Sequence, residues 1–410
     1  PEEYWRLYLD LIKDKKSRDK VTKLEKDKAK EIEFDGIKFE LSKINGKKAE
    51  ITNEKDAQKV LDALNIDKVE IDSIQKKESK RYAKPPFITS TLQQAASNKF
   101  GYSSKKTMSV AQKLYEAGFI TYMRTDSFNI IPSEVENIRK EVVERYGQKY
   151  LAESSVHFKT ASSSAQEAHE AIRPTDITKR GDSLKLSGEQ QKLYDLIRNR
   201  TLATQMAHAV VEIANIETHV KTYTFIANGQ RIVFPGFLKA YAEFVSENIL
   251  PNLDQNDKLN ILNRIAVQNL TEPPARYTEA TLIKVMEKYG IGRPSTYAPT
   301  ISTIMARKYV IKEGRYLVPT DTAFVVNRLL NKYFQEIVDV DFTSELEADL
   351  DKIAEGKVDW VDEISKFYKP FIKNVEQGEK KISRDEFTVL GPSDQKCPIC
   401  GKKMVKKLGR

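Results

Sequence analysis

The sequence predicts a multi-domain protein of mixed α and β structure, and three observations carry that reading. Its 410 residues are enough for two to four domains of ordinary size. Apolar residues alternate at period two in two separate stretches, 1–83 and 207–275, which read as the halves of one discontinuous β-rich domain. Between and after them the period turns helical, over 84–206 and again over 276–382, with Pro85-Pro86 and Pro273-Pro274 at the junctions. A short basic tail, 383–410, follows.

The elements can be justified in order. A lysine-rich stretch, Lys13 to Lys30, precedes strand positions at Ile32, Phe34, Ile37, Phe39 and Leu41, and later at Val69, Ile71 and Ile74. Ser90 with Gln93 three residues on makes a capping box for a helix carrying Leu92, Ala95, Ala96 and Phe100, which stops at Gly101. The next helix presents Met108, Ala111, Leu114 and Tyr115 on its apolar face. Gly118 then releases the chain into a β-like run from Phe119 to Met123. Strands return at Val210, Val211, Ile213 and Ile216, at Tyr223, Phe225, Ile232 and Phe234, and from Ile261 to Val267. In the second helical block Thr278 caps a helix with Leu282, Val285, Met286 and Tyr289, stopped by Gly290. Ser295 starts another, with Ile301, Ile304 and Met305. A hairpin follows, Tyr309 to Ile311 and Arg315 to Val318, around Lys312, Glu313 and Gly314. Helix, glycine turn, helix, then strand or wing is the pattern of a helix-turn-helix relative. Two helical hairpins packed only for stability would show it too.

Composition narrows the function classes. Lys and Arg number 68 against 59 Asp and Glu, a formal net charge of +9, which favours nucleic acid only modestly. No apolar run nears the ~18 residues of a membrane span, and two cysteines cannot build a disulfide framework. The first residues, Pro1 to Trp5, lack a basic n-region, an apolar h-region and a Met, which argues against a secretory route and suggests a cut inside a longer gene product.

Three segments could do chemistry. In Thr121-Tyr122-Met123-Arg124-Thr125-Asp126-Ser127 a strand's period puts Tyr122 and Arg124 on one face. A phenol is a covalent nucleophile, and a guanidinium supplies planar donors for the oxygens of an attacked phosphate. A half-buried tyrosine beside a surface arginine fits the same spacing. His169, within the polar run Gln166 to Thr175, could bond a phosphate or move a proton; His157, His208 and His219 have no such company. Gly290-Ile291-Gly292-Arg293-Pro294-Ser295-Thr296 precedes a helix whose first N–H groups favour an anion, and Arg307 near that helix's end could reach a second phosphate. Cys397-Pro398-Ile399-Cys400 has zinc-knuckle spacing, but no other cysteine completes four ligands.

Taken together these segments resemble the type IA DNA topoisomerases. Gln112 to Ser127 resembles the family's active-site signature, and Pro85 to Ala96, Gln166 to Thr175, Gly290 to Ile304 and Phe342 to Trp360 resemble further blocks in the family's order. The resemblance implies a ring-like core with a β-rich arch (1–83 and 207–275), a helical domain carrying the active-site tyrosine (84–206), and a winged-helix-like base domain (276–382). It implies that Tyr122 is the nucleophile, that Arg124 and His169 assist, and that Arg293, Thr296, Arg307, Arg173 and Thr125 contact DNA. It further implies single-stranded or negatively supercoiled DNA as the partner, no membrane, a monomer, and a cytoplasmic place at the bacterial nucleoid.

The family's Toprim domain, with the carboxylates that hold Mg²⁺ and a lysine near the scissile phosphate, matches nothing here. The chain then reads as a fragment inactive alone, and Zn²⁺ at Cys397 and Cys400 would need a ribbon not in this sequence. Two rival readings stay open. One is a winged-helix DNA-binding protein without chemistry; the other is a phosphotransferase or nuclease built on the D-x-D of Asp339 and Asp341.

Overall fold

In the computed structural model, which describes residues 1–13, 21–25, 36–159, 169–243, 245–383, 386 and 388–407, the alternating stretches form strands. Ile32, Phe34, most of the lysine-rich stretch, and Gln166 to Ala168 lie outside the described residues. The chain divides into two compact units, Pro1–Ala83 with Met206–Ala275, and Lys84–Gln205 with Arg276–Arg410.

The first unit contains β1 (Glu3–Ile12), β2 (Val21–Glu25), β3 (Ile37–Ile44), β4 (Lys47–Lys48), α1 (Glu54–Ala63), β5 (Lys68–Arg81), β6 (Ala209–Val220), β7 (Tyr223–Phe234) and β8 (Lys258–Leu270). Strand pairing runs β1-β3-β7-β6-β5-β8 and returns through a β1–β8 ladder, so the sheet closes on itself. Only β2, parallel to β8, departs from antiparallel pairing. Closure removes most open edges and turns one face of each of these six strands inward. Leu7, Leu9, Leu11, Phe39, Ile71, Phe225 and Ile261 meet there, fully or nearly fully buried. Asn45-Gly46, both at positive φ, make the tight turn from β3 to β4, the backbone that such a two-residue hairpin demands. Helix α1 is a correction, since periodicity predicted only strands here. Asn53 caps it, accepting the Asp56 N–H at 2.9 Å, and Ala57, Val60 and Leu61 pack against the barrel interior.

The second unit opens with α2 (Thr89–Phe100), α3 (Ser104–Glu116), α4 (Pro132–Tyr146) and α5 (Gly188–Ala203). It continues with α6 (Glu279–Lys288), α7 (Tyr297–Ala306), the hairpin β9 (Val310–Glu313) and β10 (Tyr316–Pro319), then α8 (Asp321–Tyr333), α9 (Val340–Ala354), α10 (Trp360–Lys381), and β11 (Val389–Lys396) paired with β12 (Lys403–Lys407). The capping box of α2 is shifted from the predicted one. Ile88 is the cap and Thr91 closes it by accepting the Ile88 N–H at 3.0 Å, while Ser90 lies inside the helix and donates to Glu287 at 2.8 Å. In α3 the buried face is Thr107, Val110, Ala111 and Leu114, and Tyr115 lies outside it, partly exposed. The hairpin turn is Gly314-Arg315, because Lys312 and Glu313 are strand residues.

One buried carboxylate ties the two helical stretches of this unit together. Glu279, the first residue of α6, accepts the Ser104 N–H (2.8 Å) and hydroxyl (2.9 Å) at the start of α3, and the Lys312 ammonium (3.0 Å) from β9. Burial alone would raise its pKa, but the Ser104 and Lys312 donors outweigh burial and hold it below the usual carboxylate range. A second buried pair, Glu141 with Arg198 at 2.6 Å, links α4 to α5.

Candidate active site

The predicted β-like run at Tyr122 is not a strand. After α3, Gly118 at φ 74° turns the chain, and residues 119–121 run beside 171–175 with a single bridge, Ile120 to Pro174. Thr121 donates its N–H to the Arg173 carbonyl (2.9 Å) and its hydroxyl to the Ala171 carbonyl (2.6 Å), and Thr175 donates its N–H to Phe119. The alternation expected of a strand nevertheless survives. From Tyr122 onward, Met123, Thr125 and Ser127 are buried, while Tyr122 keeps 40% of its surface and Arg124 is exposed beside it. The backbone bends at Thr121, Met123 and Arg124, so both side chains stay on the open side without a paired ladder.

Tyr122, Arg124, Asp126, His169, Arg293, Pro294, Ser295 and Asp351 line an open cavity of about 300 Å³. The Tyr122 ring meets the edges of two neighbours, Tyr115 with centroids 5.2 Å apart and His169 at 6.1 Å. By contrast Tyr297, next to this cavity, is buried and its phenol is pushed up to about 12, first by burial and then by Glu287. The exposed Tyr122 is the phenol open to a ligand.

Arg293 reaches the same cavity from the α6–α7 turn. Gly290 and Gly292 hold positive φ there, 68° and 82°, the left-handed region that glycine occupies without strain. The guanidinium donates to Asp351 at 2.7 Å and to the Gly292 carbonyl at 2.9 Å, with Glu347 at 3.7 Å. Burial opposes its charge, but Asp351 and Glu347 more than compensate and raise its pKa further. The cavity thus carries two arginines, two aspartates and one histidine, a polar and charged lining.

The remaining predicted residues fall elsewhere. Arg173 is buried, donating to Glu170 (2.8 Å), Glu134 (3.3 Å) and the Pro174 carbonyl (2.9 Å), so its guanidinium braces the His169 segment instead of facing a ligand. Thr125 is also buried, its hydroxyl accepting the Ser127 N–H. For Thr125 the alternation that exposes Arg124 turns the neighbour inward; Arg173 is drawn in by its two carboxylates. Thr296 shapes the Arg293 turn, accepting its N–H at 2.8 Å, and does not line the cavity; Arg307 is exposed at the end of α7, also off the cavity. Cys397 and Cys400 sit in the turn between β11 and β12, with backbone N–H groups of Cys400 and Ile399 lowering the Cys397 thiol pKa. Asp339 is the N-cap of α9, accepting the Asp341 and Phe342 N–H groups, so the D-x-D that suggested a nuclease starts a helix. Sequence reasoning missed Asp126, although it stands two residues from Arg124. It also missed Asp351, whose signal is the i, i+4 spacing with Glu347 on α9.

The DNA topoisomerase family model matches residues 1–365 of this chain. The chain belongs to that family. It is 43% identical over 392 residues to DNA topoisomerase 1 of Campylobacter jejuni, covering 93% of this chain and 55% of that protein. The Helicobacter pylori DNA topoisomerase 1 is 42% identical over 374 residues, 89% of this chain and 50% of the relative. Full-length topoisomerase I from Thermotoga maritima superposes with a TM-score of 0.76 at 31% identity, covering 100% of this chain and 64% of that one. The chain spans about half the length of the relatives it matches. The type IA resemblance therefore holds, with the large antiparallel sheet as its β-rich part.

Proposed function

We propose that this chain carries the strand-cleaving tyrosine of a type IA DNA topoisomerase, which breaks one DNA strand transiently, lets another pass and reseals it without ATP, relaxing negatively supercoiled DNA. The observation that carries this reading is the half-exposed Tyr122, set in one cavity with Arg124, His169 and Arg293. The Tyr122 oxygen attacks phosphorus, forming an O–P bond as the bond to the 3′ oxygen breaks, and the 3′ oxygen leaves with a proton. The product is a 5′-phosphotyrosine, and the freed 3′-hydroxyl reverses the exchange, so the bond energy is retained. Arg124 offers its planar donors to the phosphoryl oxygens. His169, with its ring toward Tyr122, is the chain's group for moving the phenol proton through a ring nitrogen. Arg293 holds a neighbouring phosphate, sharing its donors with Asp351.

The Mg²⁺ that the family implies finds no matching site in these residues. Among the described residues no group of three His, Cys, Asp or Glu side chains is placed to hold a metal ion, and Asp351 is engaged by Arg293. Cys397 and Cys400 supply two thiols where a structural zinc takes four ligands. Thr296 and Arg307 would meet DNA outside the cavity, α6, α7 and the β9–β10 hairpin acting as a winged helix. The partner is single-stranded or supercoiled DNA, met by a monomer at the nucleoid. Among the described residues no helix is long and apolar enough to cross a membrane. The test is Tyr122→Phe in the full-length protein. Removal of the oxygen abolishes the covalent DNA adduct, and an adduct that persists refutes the assignment.

A further inference from the structure

Thr89, the first residue of α2, is fully buried behind the Tyr122 segment. Its hydroxyl donates to the Met123 carbonyl at 2.8 Å, with the Thr125 carbonyl at 3.1 Å, and accepts the Thr125 N–H at 2.9 Å. Its own N–H donates to the Thr125 carbonyl at 2.9 Å. These bonds grip the two peptide groups on either side of Arg124. They are not helix capping, because Ile88 and Thr91 close the start of α2 between themselves. Nor does a sheet do the work. The segment belongs to no strand, and among the described residues no other backbone hydrogen bond reaches the backbone of Met123 or Thr125.

We infer that Thr89 is a positioning residue for strand cleavage: its buried hydroxyl fixes the backbone of Arg124, and so the place of the guanidinium beside Tyr122. The inference rests on the reading of Tyr122 as nucleophile. A hydroxyl is the group this place needs, since it donates a hydrogen bond to the Met123 carbonyl and accepts one from the Thr125 N–H within the volume of a single branched side chain. Valine has the same shape and neither function. It would leave a carbonyl and an N–H buried without partners, and the turn would shift to find them. A shift of about 1 Å in a group that touches the reacting phosphate costs about 10²-fold in rate.

The experiment compares wild type, Thr89→Val and Thr89→Ser in the full-length protein, measuring single-turnover formation of the covalent adduct on a single-stranded oligonucleotide and, separately, its Kd. Thr89→Val cleaves about 100-fold more slowly at saturating DNA, while Kd changes by less than about threefold, because binding through Arg293 and the other surfaces persists. Thr89→Ser, which keeps the hydroxyl, stays within about threefold of wild type. Hydrogen exchange on the wild type supplies a measurement that needs no variant: the Thr125 amide is protected as strongly as the core of its unit. Wild-type cleavage by Thr89→Val, a serine variant as slow as the valine one, or a Thr125 amide exchanging at loop rates overturns the inference. If the wild type forms no adduct, the nucleophile assignment falls and takes this inference with it. If the wild type cleaves and Thr89→Val cleaves equally, only this inference falls.

Discussion

Replacing Glu279 by Gln tests whether one buried carboxylate holds the two helical stretches of the second unit in register, and with them Tyr122 and Arg293. The carboxylate accepts three bonds, from the Ser104 N–H, the Ser104 hydroxyl and Lys312, at 2.8, 2.9 and 3.0 Å, and is 3% exposed. Hydrogen bonds to charged groups contribute roughly 1.5–3 kcal/mol each, and neutral ones roughly 0.5–1.5. Glutamine keeps an acceptor toward Ser104 but turns the Lys312 contact neutral or repulsive. Lys312 is about one-third exposed and can swing to solvent, which limits the loss. The expected destabilisation is about 2 kcal/mol, against the roughly 5–15 kcal/mol of a typical domain. Urea unfolding followed by circular dichroism at the helical band measures it.

The pH dependence has a definite sign. The Glu279 pKa is depressed in the folded state, so its contribution is fully present above the unfolded value near ~4.3 and is lost as pH falls through the folded value. The gap between wild type and Glu279→Gln is therefore constant at neutral pH and closes in acid. A gap below about 0.5 kcal/mol at pH 7, or one that widens in acid, refutes the reasoning.

Two further predictions follow from the Arg293 turn. Gly292→Ala forces an L side chain to φ 82° and brings its Cβ within 3.2 Å of Thr296 and the Tyr297 ring; a melting experiment shows a loss of about 1–2 kcal/mol, and cleavage falls with it as Arg293 moves. Asp351→Asn removes the nearer of the two charges that compete for Arg293, so single-stranded DNA binds several-fold more tightly by fluorescence anisotropy. Its log–log salt slope steepens by about 0.7 if one more phosphate contact is made; an unchanged slope shows that Arg293 already spends its full charge on DNA or none of it.

By itself the sequence determined the elements and the chemistry they carry. Period two marked β3, β6, β7 and β8, and the Thr278 cap and the glycines at 101, 118 and 290 bounded helices, because these signals are local and act within one turn or one hairpin. The same locality hid α1, whose single amphipathic face lies between strands, and misplaced the α2 cap by two residues, since Ser90 and Thr91 are equally good oxygens and only the bond to Glu287 draws Ser90 away. Tyr122 and Arg124 were legible as neighbours on one face. What the sequence could not hold is which residues more than a hundred positions apart meet them. Arg293 lies 169 positions beyond Arg124, Asp351 a further 58; Arg293 shares the cavity of Tyr122 because α2 and α3 pack on α6 and α7, and Asp351 joins it by pairing with Arg293. Burial likewise separated Arg124, exposed, from Arg173, paired and inside, although the two arginines are chemically identical in sequence. Charge type is written residue by residue, but whether that charge faces a ligand or a carboxylate is decided by the surfaces that folding brings together.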